Sequence, residues 1–281
     1  MSFADSLFDA VKRKNSCLCV GLDPRPENFP KEFSRDAEGI VGFNKEVIGL
    51  VKGLVSIVKP QSAFYEAFGP RGATAFQETV AYAKKNGLLV LVDAKRGDIG
   101  STAKAYAKAF FETYGVDALT VSPYLGLDGV KPFLEYCGED KGVFILVKTS
   151  NPSSSDLQDL ESQGRKVYEI MGSLVNEWGK EYVGESCFSS VGAVVGATYP
   201  KEAEALRKIM PANFFLVPGL GAQGGTAEDV KPAFNRGGTG AIVNSSRGIT
   251  QCFSPDDSEW RVKVVEAAKK SVKDLNGMRF G

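Results

Sequence analysis

The sequence predicts a single (β/α)8 barrel of the TIM type over residues 1–281, with an N-terminal helix in front of the first strand. Three observations predict it. Eight short apolar runs recur along the chain, apolar at successive positions as strands covered on both faces of a parallel sheet are. The segments between them place apolar residues at spacings of three and four, the period of a helix. No linker, low-complexity tract or change of composition divides the 281 residues, and one barrel of this kind takes about 250 residues.

The elements follow in order. MSFADSLFDAVKRKNS reads as a short amphipathic helix with Phe3, Leu7, Phe8 and Val11 on one side. The strand runs are CLCVGLD (17–23), VSIVKPQ (55–61), LLVLVDAK (88–95), ALTVSP (118–123), GVFILVKTS (142–150), SVGAVVGAT (190–198), FFLVPGL (214–220) and GAIVNSS (240–246). Helical spacing is clearest in 36–54 (Ile40, Phe43, Val47, Leu50, Leu54), in 160–179 (Leu160, Val167, Ile170, Leu174, Trp178) and in 256–275 (Trp260, Val264, Ala267, Val272). Gly87 and Gly115 stand where helices commonly stop. The longest gap, 151–189, opens on NPSSSDLQD, a polar stretch expected as a mobile loop over the site.

Composition narrows the chemistry. Thirty-four basic residues balance thirty-four acidic ones, so no net field points to nucleic acid or an anionic membrane. No apolar run approaches the roughly eighteen residues of a membrane span, and the N-terminus lacks the apolar centre and cleavage site of a secretion signal. The expectation is a cytoplasmic protein. Five cysteines at scattered positions do not form a disulfide framework. With no histidine in the chain, Ser-His-Asp and Cys-His catalysis and histidine-ligated zinc are excluded. An oxygen-only Mg²⁺ site stays open.

Barrels of this type act at the C-terminal ends of their strands. Those ends supply Asp23, then Lys59 and Gln61, Asp93 and Lys95, Ser122, Lys148 and Thr149, Pro218, and Asn244 to Arg247. Buried charges are costly unless paired, and here acids and lysines alternate. Asp93 and Lys95 are two apart, hence on one face of a strand. Lys59 comes from the neighbouring strand, and Asp98 follows the Arg96-Gly97 turn. Such an array keeps its lysines protonated. It therefore disfavours a Schiff base, which needs a neutral amine, and favours Lys95 as a general acid and as a cation beside a developing carbanion.

The loops after the seventh and eighth strands carry the second constellation. Gly219, Gly221 and Gly224 formally spell G-x-G-x-x-G, but the next strand ends Asn244-Ser245-Ser246, without the acidic residue a dinucleotide site requires. Barrels commonly bind phosphate in these loops. Main-chain N–H groups, Gln223 and a bidentate Arg247 suit that role.

DAKRGDIGSTAKAYA resembles the D-x-K-x-x-D-I signature of the orotidine 5′-monophosphate decarboxylases, in the longer-chain branch common in bacteria. VGLDPRP, KPQSAFYEAFG, VSPYLG, VKTSNPSS, PGLGAQGG and NSSRGI fall in family order, so the resemblance covers nearly the whole chain. It implies decarboxylation of orotidine 5′-monophosphate to uridine 5′-monophosphate in pyrimidine synthesis, without metal or organic cofactor, in a homodimer with shared sites. It implies that Lys95 protonates C6 of the pyrimidine, with Asp93, Asp98 and Lys59 completing the charged array. By the same resemblance Asp23 and Lys59 hold the ribose hydroxyls, and Thr149 and Pro218 line the pyrimidine pocket. Gln223, Arg247 and the backbone of Gly248 bind phosphate, and Asp98, Ile99 and Thr102 reach the neighbouring subunit's site. Gln61 stands where relatives carry Asn, which puts its ribose contacts in doubt. Two other readings remain: a Mg²⁺-dependent sugar-phosphate decarboxylase or aldol-type lyase sharing D-x-K-x-x-D, and a non-catalytic phosphate-binding barrel.

Overall fold

A computed structural model of the protein describes residues 1–220 and 225–280. The eight barrel strands are β1 Leu18–Leu22, β2 Ile57–Pro60, β3 Leu89–Arg96, β4 Ala118–Val121, β5 Gly142–Lys148, β6 Ser189–Val195, β7 Asn213–Pro218 and β8 Ala241–Ser245. Each coincides with one of the expected runs; β3 extends one residue past its run, to Arg96, and β6 and β7 begin one residue before theirs, at Ser189 and Asn213. They pair in parallel and close in the order β1-β8-β7-β6-β5-β4-β3-β2. Strands β1, β2, β4, β6 and β8 are buried at every position, which is why their sequences do not alternate.

Helices cover the outside. Ala37–Val51 starts where the Asp36 carboxylate accepts from the N–H groups of Glu38 and Gly39, and it buries Ile40, Phe43, Val47 and Ile48. Helix Phe3–Lys14 lies at the N-terminal end of the barrel, where the Phe3 ring meets Phe144 of β5 edge-on at 6.2 Å. At the same end, Arg207 is buried and donates to the carbonyls of Met210, Asn213, Ala233 and Gly240 at 2.7 to 2.9 Å. Burial pulls this guanidinium down to about 9, so it stays cationic at neutral pH. It ties the entrances of β7 and β8 together, far from the strand ends that carry the site.

Three expectations require correction. The helix expected over 160–179 spans Val167–Gly179. Glu161–Ser162 and Arg165–Lys166 instead form a small antiparallel ribbon, because Gln163 and Gly164 both adopt positive φ (54° and 73°), the conformation a two-residue hairpin turn needs. The stretch 151–159 is also more regular than a loop: Pro152–Ser154 is a 3-10 turn and Ser155–Gln158 a single helical turn. The last helix runs Trp260–Phe280, beginning and ending later than its apolar spacing indicated.

Candidate active site

The strand ends surround a cavity of about 680 Å³. Asp23, Lys59, Gln61, Asp93, Lys95, Thr149, Pro218 and Arg247 all line it. Eight residues scattered over 225 positions are thus brought to one mouth by the closure of the barrel.

Asp93 is the centre of the charged array. Its Oδ1 accepts from Lys95 Nζ at 2.5 Å and Thr120 Oγ1 at 3.0 Å; its Oδ2 accepts from Lys59 Nζ at 3.2 Å and Gln61 Nε2 at 3.0 Å. Four donors occupy about all the acceptor capacity of a carboxylate. Burial alone would raise the Asp93 carboxyl, but the ammonium groups of Lys59 and Lys95 outweigh it and hold the group well below the usual carboxylate range. Lys59 is only 3% exposed. Burial would lower it, yet Asp93 and Asp23 raise it above the ordinary lysine value. Lys95 differs in having a side chain 45% exposed, turned to the mouth.

The Asp93–Lys95 pairing does not come from simple strand alternation. Register with β4 shifts between Val92 and Arg96, and Lys95 has φ 47°. Thr120 holds this irregularity, its hydroxyl oxygen accepting from the N–H groups of both Ala94 and Lys95 at 3.0 and 2.9 Å. Sequence reading missed Thr120; inside the apolar run ALTV it carries no signal. It also read Gln61 only as a ribose contact, whereas its amide donates to Asp93.

Across the barrel, Asp23 at the end of β1 and Asn244 of β8 each keep one buried side-chain oxygen without a hydrogen-bond partner. Asp23 Oδ1 lies 3.9 Å from Lys59 Nζ, within ion-pair reach only. These acceptors suit a ligand bearing hydroxyls. Gly21 makes the arrangement possible, since a Cβ there would sit 1.9 Å from Ser246 Oγ. Gly196, after β6, does the same for the turn following β5, where a Cβ would sit 2.9 Å from the Ser150 main chain.

The model of the orotidine 5′-phosphate decarboxylase / HUMPS family matches residues 16–258. The chain belongs to this family. Relatives called orotidine 5′-phosphate decarboxylase include one from Rhodopirellula baltica, 45% identical over 99% of this chain and 100% of its own, and one from Clostridium perfringens, 45% identical over 89% of each. Among solved structures, Leishmania donovani OMP decarboxylase superposes with a TM-score of 0.83 at 36% identity, each chain fully covered. The same organism's UMP synthase gives a TM-score of 0.86 at 37% identity, with this chain covering 57% of it.

Of the remaining residues expected from the orotidine 5′-phosphate decarboxylase resemblance, Asp98, Ile99, Thr102 and Gly248 do not line the cavity of this chain. Asp98 accepts from the Ile99 N–H at 2.8 Å, and Ile99 and Thr102 are exposed on the outside of the mouth. The expected Lys-Asp-Lys-Asp array is therefore three-membered within one chain, joined by Asp23. Gly248 is exposed beside Arg247 but is not part of the wall. Gln223, with Gly221 and Gly224, lies outside the described residues. Leu157 and Gln158, within the 151–159 stretch expected over the site, line the cavity. Among the described residues no cluster of three or more metal-ligating side chains occurs, and no helix is long and apolar enough to cross a membrane.

Proposed function

We propose that the protein is a cytoplasmic carboxy-lyase that converts orotidine 5′-monophosphate to uridine 5′-monophosphate in de novo pyrimidine synthesis, without metal or organic cofactor. The observation that carries the reading is Asp93 held between Lys59 and Lys95, with Lys95 the more exposed of the two lysines at the mouth. When the bond from C6 to the carboxylate breaks, the electron pair stays on C6 in an orbital the ring cannot delocalise. A fixed ammonium at that carbon stabilises the charge as it forms and then gives up its proton. Lys95 fits this role because its hydrogen bond to Asp93 fixes its position at the mouth.

Asp23 and Lys59 hold the ribose hydroxyls, Thr149 and Pro218 flank the pyrimidine, and Arg247, Gly248 and Gln223 take the phosphate. Binding energy from the phosphate end, remote from C6, is then available to the chemical step. The partner is a second copy of this chain, which supplies Asp98, Ile99 and Thr102 to complete each site. Its support is that Ile99, Tyr124, Leu125 and Leu127, in the segments following β3 and β4, are all exposed large apolar side chains, the kind of surface that marks an interaction site when grouped.

The D-x-K-x-x-D element also suits a Mg²⁺-dependent sugar-phosphate lyase. Asp93, however, already spends its oxygens on two ammonium groups, an amide and a hydroxyl, which disfavours a divalent cation there. Mixing the protein with orotidine monophosphate in excess chelator and following ultraviolet absorbance separates the two. Turnover in chelator is the expected result. Activity that appears only on adding Mg²⁺ would refute the cofactor-free reading.

A further inference from the structure

Lys148 is the last residue of β5 and is completely buried (0% exposed), yet it does not line the cavity. Its ammonium donates to Asp159 Oδ2 at 2.9 Å and to Ser154 Oγ at 3.3 Å, and it lies 4.6 Å from the ring centroid of Tyr199. The next residue repeats the pattern one step nearer the site. The Thr149 N–H donates to Gln158 Oε1 at 2.9 Å, and Gln158 Nε2 donates back to Thr149 Oγ1 at 2.8 Å. Consecutive residues 148 and 149 are thus paired with consecutive residues 159 and 158. The two rungs close the loop 150–157, whose Ser150, Asn151, Ser153, Ser154 and Leu157 form one wall of the cavity.

A buried ion pair is weak evidence for stability, because apolar residues of similar volume commonly do as well; its better attested use is to fix a register. Here the register matters. A one-residue slip of 158–159 against 148–149 would move Leu157 and Gln158 out of the wall and leave a buried ammonium unpaired. In the ring of strands β5 stands three places from β8, which Arg247 closely follows, so this wall faces the end of the ligand away from the phosphate.

We propose that Lys148 and Asp159 are positioning residues, whose buried pair sets the 149–158 wall against the base of the nucleotide while leaving the phosphate end untouched. The inference rests on the decarboxylase reading, and wild-type turnover of orotidine monophosphate tests that reading separately. The variants are Lys148→Met, which keeps the stem without the charge, Asp159→Asn and the double variant. Each is first shown to be folded by circular dichroism and thermal melting, and kinetics are taken well below the melting point.

For the folded variants, kcat/KM should fall by roughly tenfold to a hundredfold, the scale of a small misplacement of reacting groups. Uridine monophosphate binding should weaken, and ribose 5-phosphate binding, which senses no base, should stay within about twofold. The double variant should be no worse than the poorer single one, since both lesions release the same wall. Lys148→Arg, which retains a cation for Asp159, should recover part of the loss. Equal weakening of ribose 5-phosphate would overturn the proposal by showing a general collapse of the mouth. So would unchanged kcat/KM, which would leave the pair a structural contact only. If Lys148→Met does not fold, Asp159→Asn, whose carboxylate is partly exposed, carries the same comparison alone.

Discussion

Lys59 donates to Asp93 from a side chain buried to within 3% of full enclosure, across the β2–β3 boundary at 3.2 Å. Removing one member of such a pair leaves the other charge stranded, which costs about 3 to 5 kcal/mol. The two members are not equivalent. Asp93→Asn leaves Lys59 with Asp23 alone at 3.9 Å and sets two ammonium groups against a neutral amide. Lys59→Met leaves Asp93 still served by Lys95, Thr120 and Gln61. Urea unfolding at pH 7 should therefore rank Asp93→Asn as the more destabilised. The reverse order would mean that Asp93 is not the centre of the array.

The same pair fixes a pH dependence. The folded pKa of Asp93 is depressed, so its contribution to stability is present above the unfolded value, near 3.9, and is lost as pH falls through the folded value. The folded pKa of Lys59 is raised, so its contribution is present below the unfolded value, near 10.4, and is lost as pH rises through the folded one. Between about pH 5 and pH 9 the pair should not titrate. Over that range denaturant titrations should show no step that wild type has and the Lys59→Met, Asp93→Asn double variant lacks.

Lys95 combines function with strain. Its φ of 47° is unfavourable for any residue with a Cβ, at a cost on the order of 1 kcal/mol. Lys95→Gly should accordingly be more stable than Lys95→Ala by about 1 kcal/mol, while both lose turnover and keep affinity for uridine monophosphate. Equal stability of the two would show that the irregularity held by Thr120 relaxes without the lysine. Product affinity falling as far as turnover would make Lys95 a ligand contact instead of the proton donor.

At the phosphate end, Arg247→Ala should lower kcat/KM for orotidine monophosphate by about 3 kcal/mol, the scale of a lost charge-assisted pair. The same change should scarcely affect orotidine, which has no phosphate. Similar losses on both substrates would move Arg247 away from the phosphate.

The shared-site arrangement predicts complementation. Lys95→Ala and Asp98→Ala homodimers should each be nearly inactive. A mixed dimer collects both lesions in one site and leaves the other intact. Random reassortment of equal amounts gives about a quarter of wild-type sites under two-fold symmetry. Activity that stays at the parental level after exchange is verified by tagged co-purification would place Asp98 in its own chain's chemistry.

The sequence by itself determined the barrel. Parallel strands are covered on both faces, so each appears as an unbroken apolar run such as GVFILV or LLVLV, and eight of them spaced by helices leave few other closures. It also determined which charges meet, because residues at the ends of parallel strands converge whatever the helices between them do; Asp23, Lys59, Asp93 and Lys95 were legible on that ground. What only the tertiary structure decided is how they meet. Thr120 bends β3 with one hydroxyl from inside an apolar run, and Gln61 turns its amide to Asp93. Lys148 and Asp159 close the wall across eleven positions of sequence. Apolar periodicity records burial, which each segment carries in its own residues. A hydrogen bond between distant segments depends on where the backbone brings two atoms within about 3 Å, and no single segment contains that information.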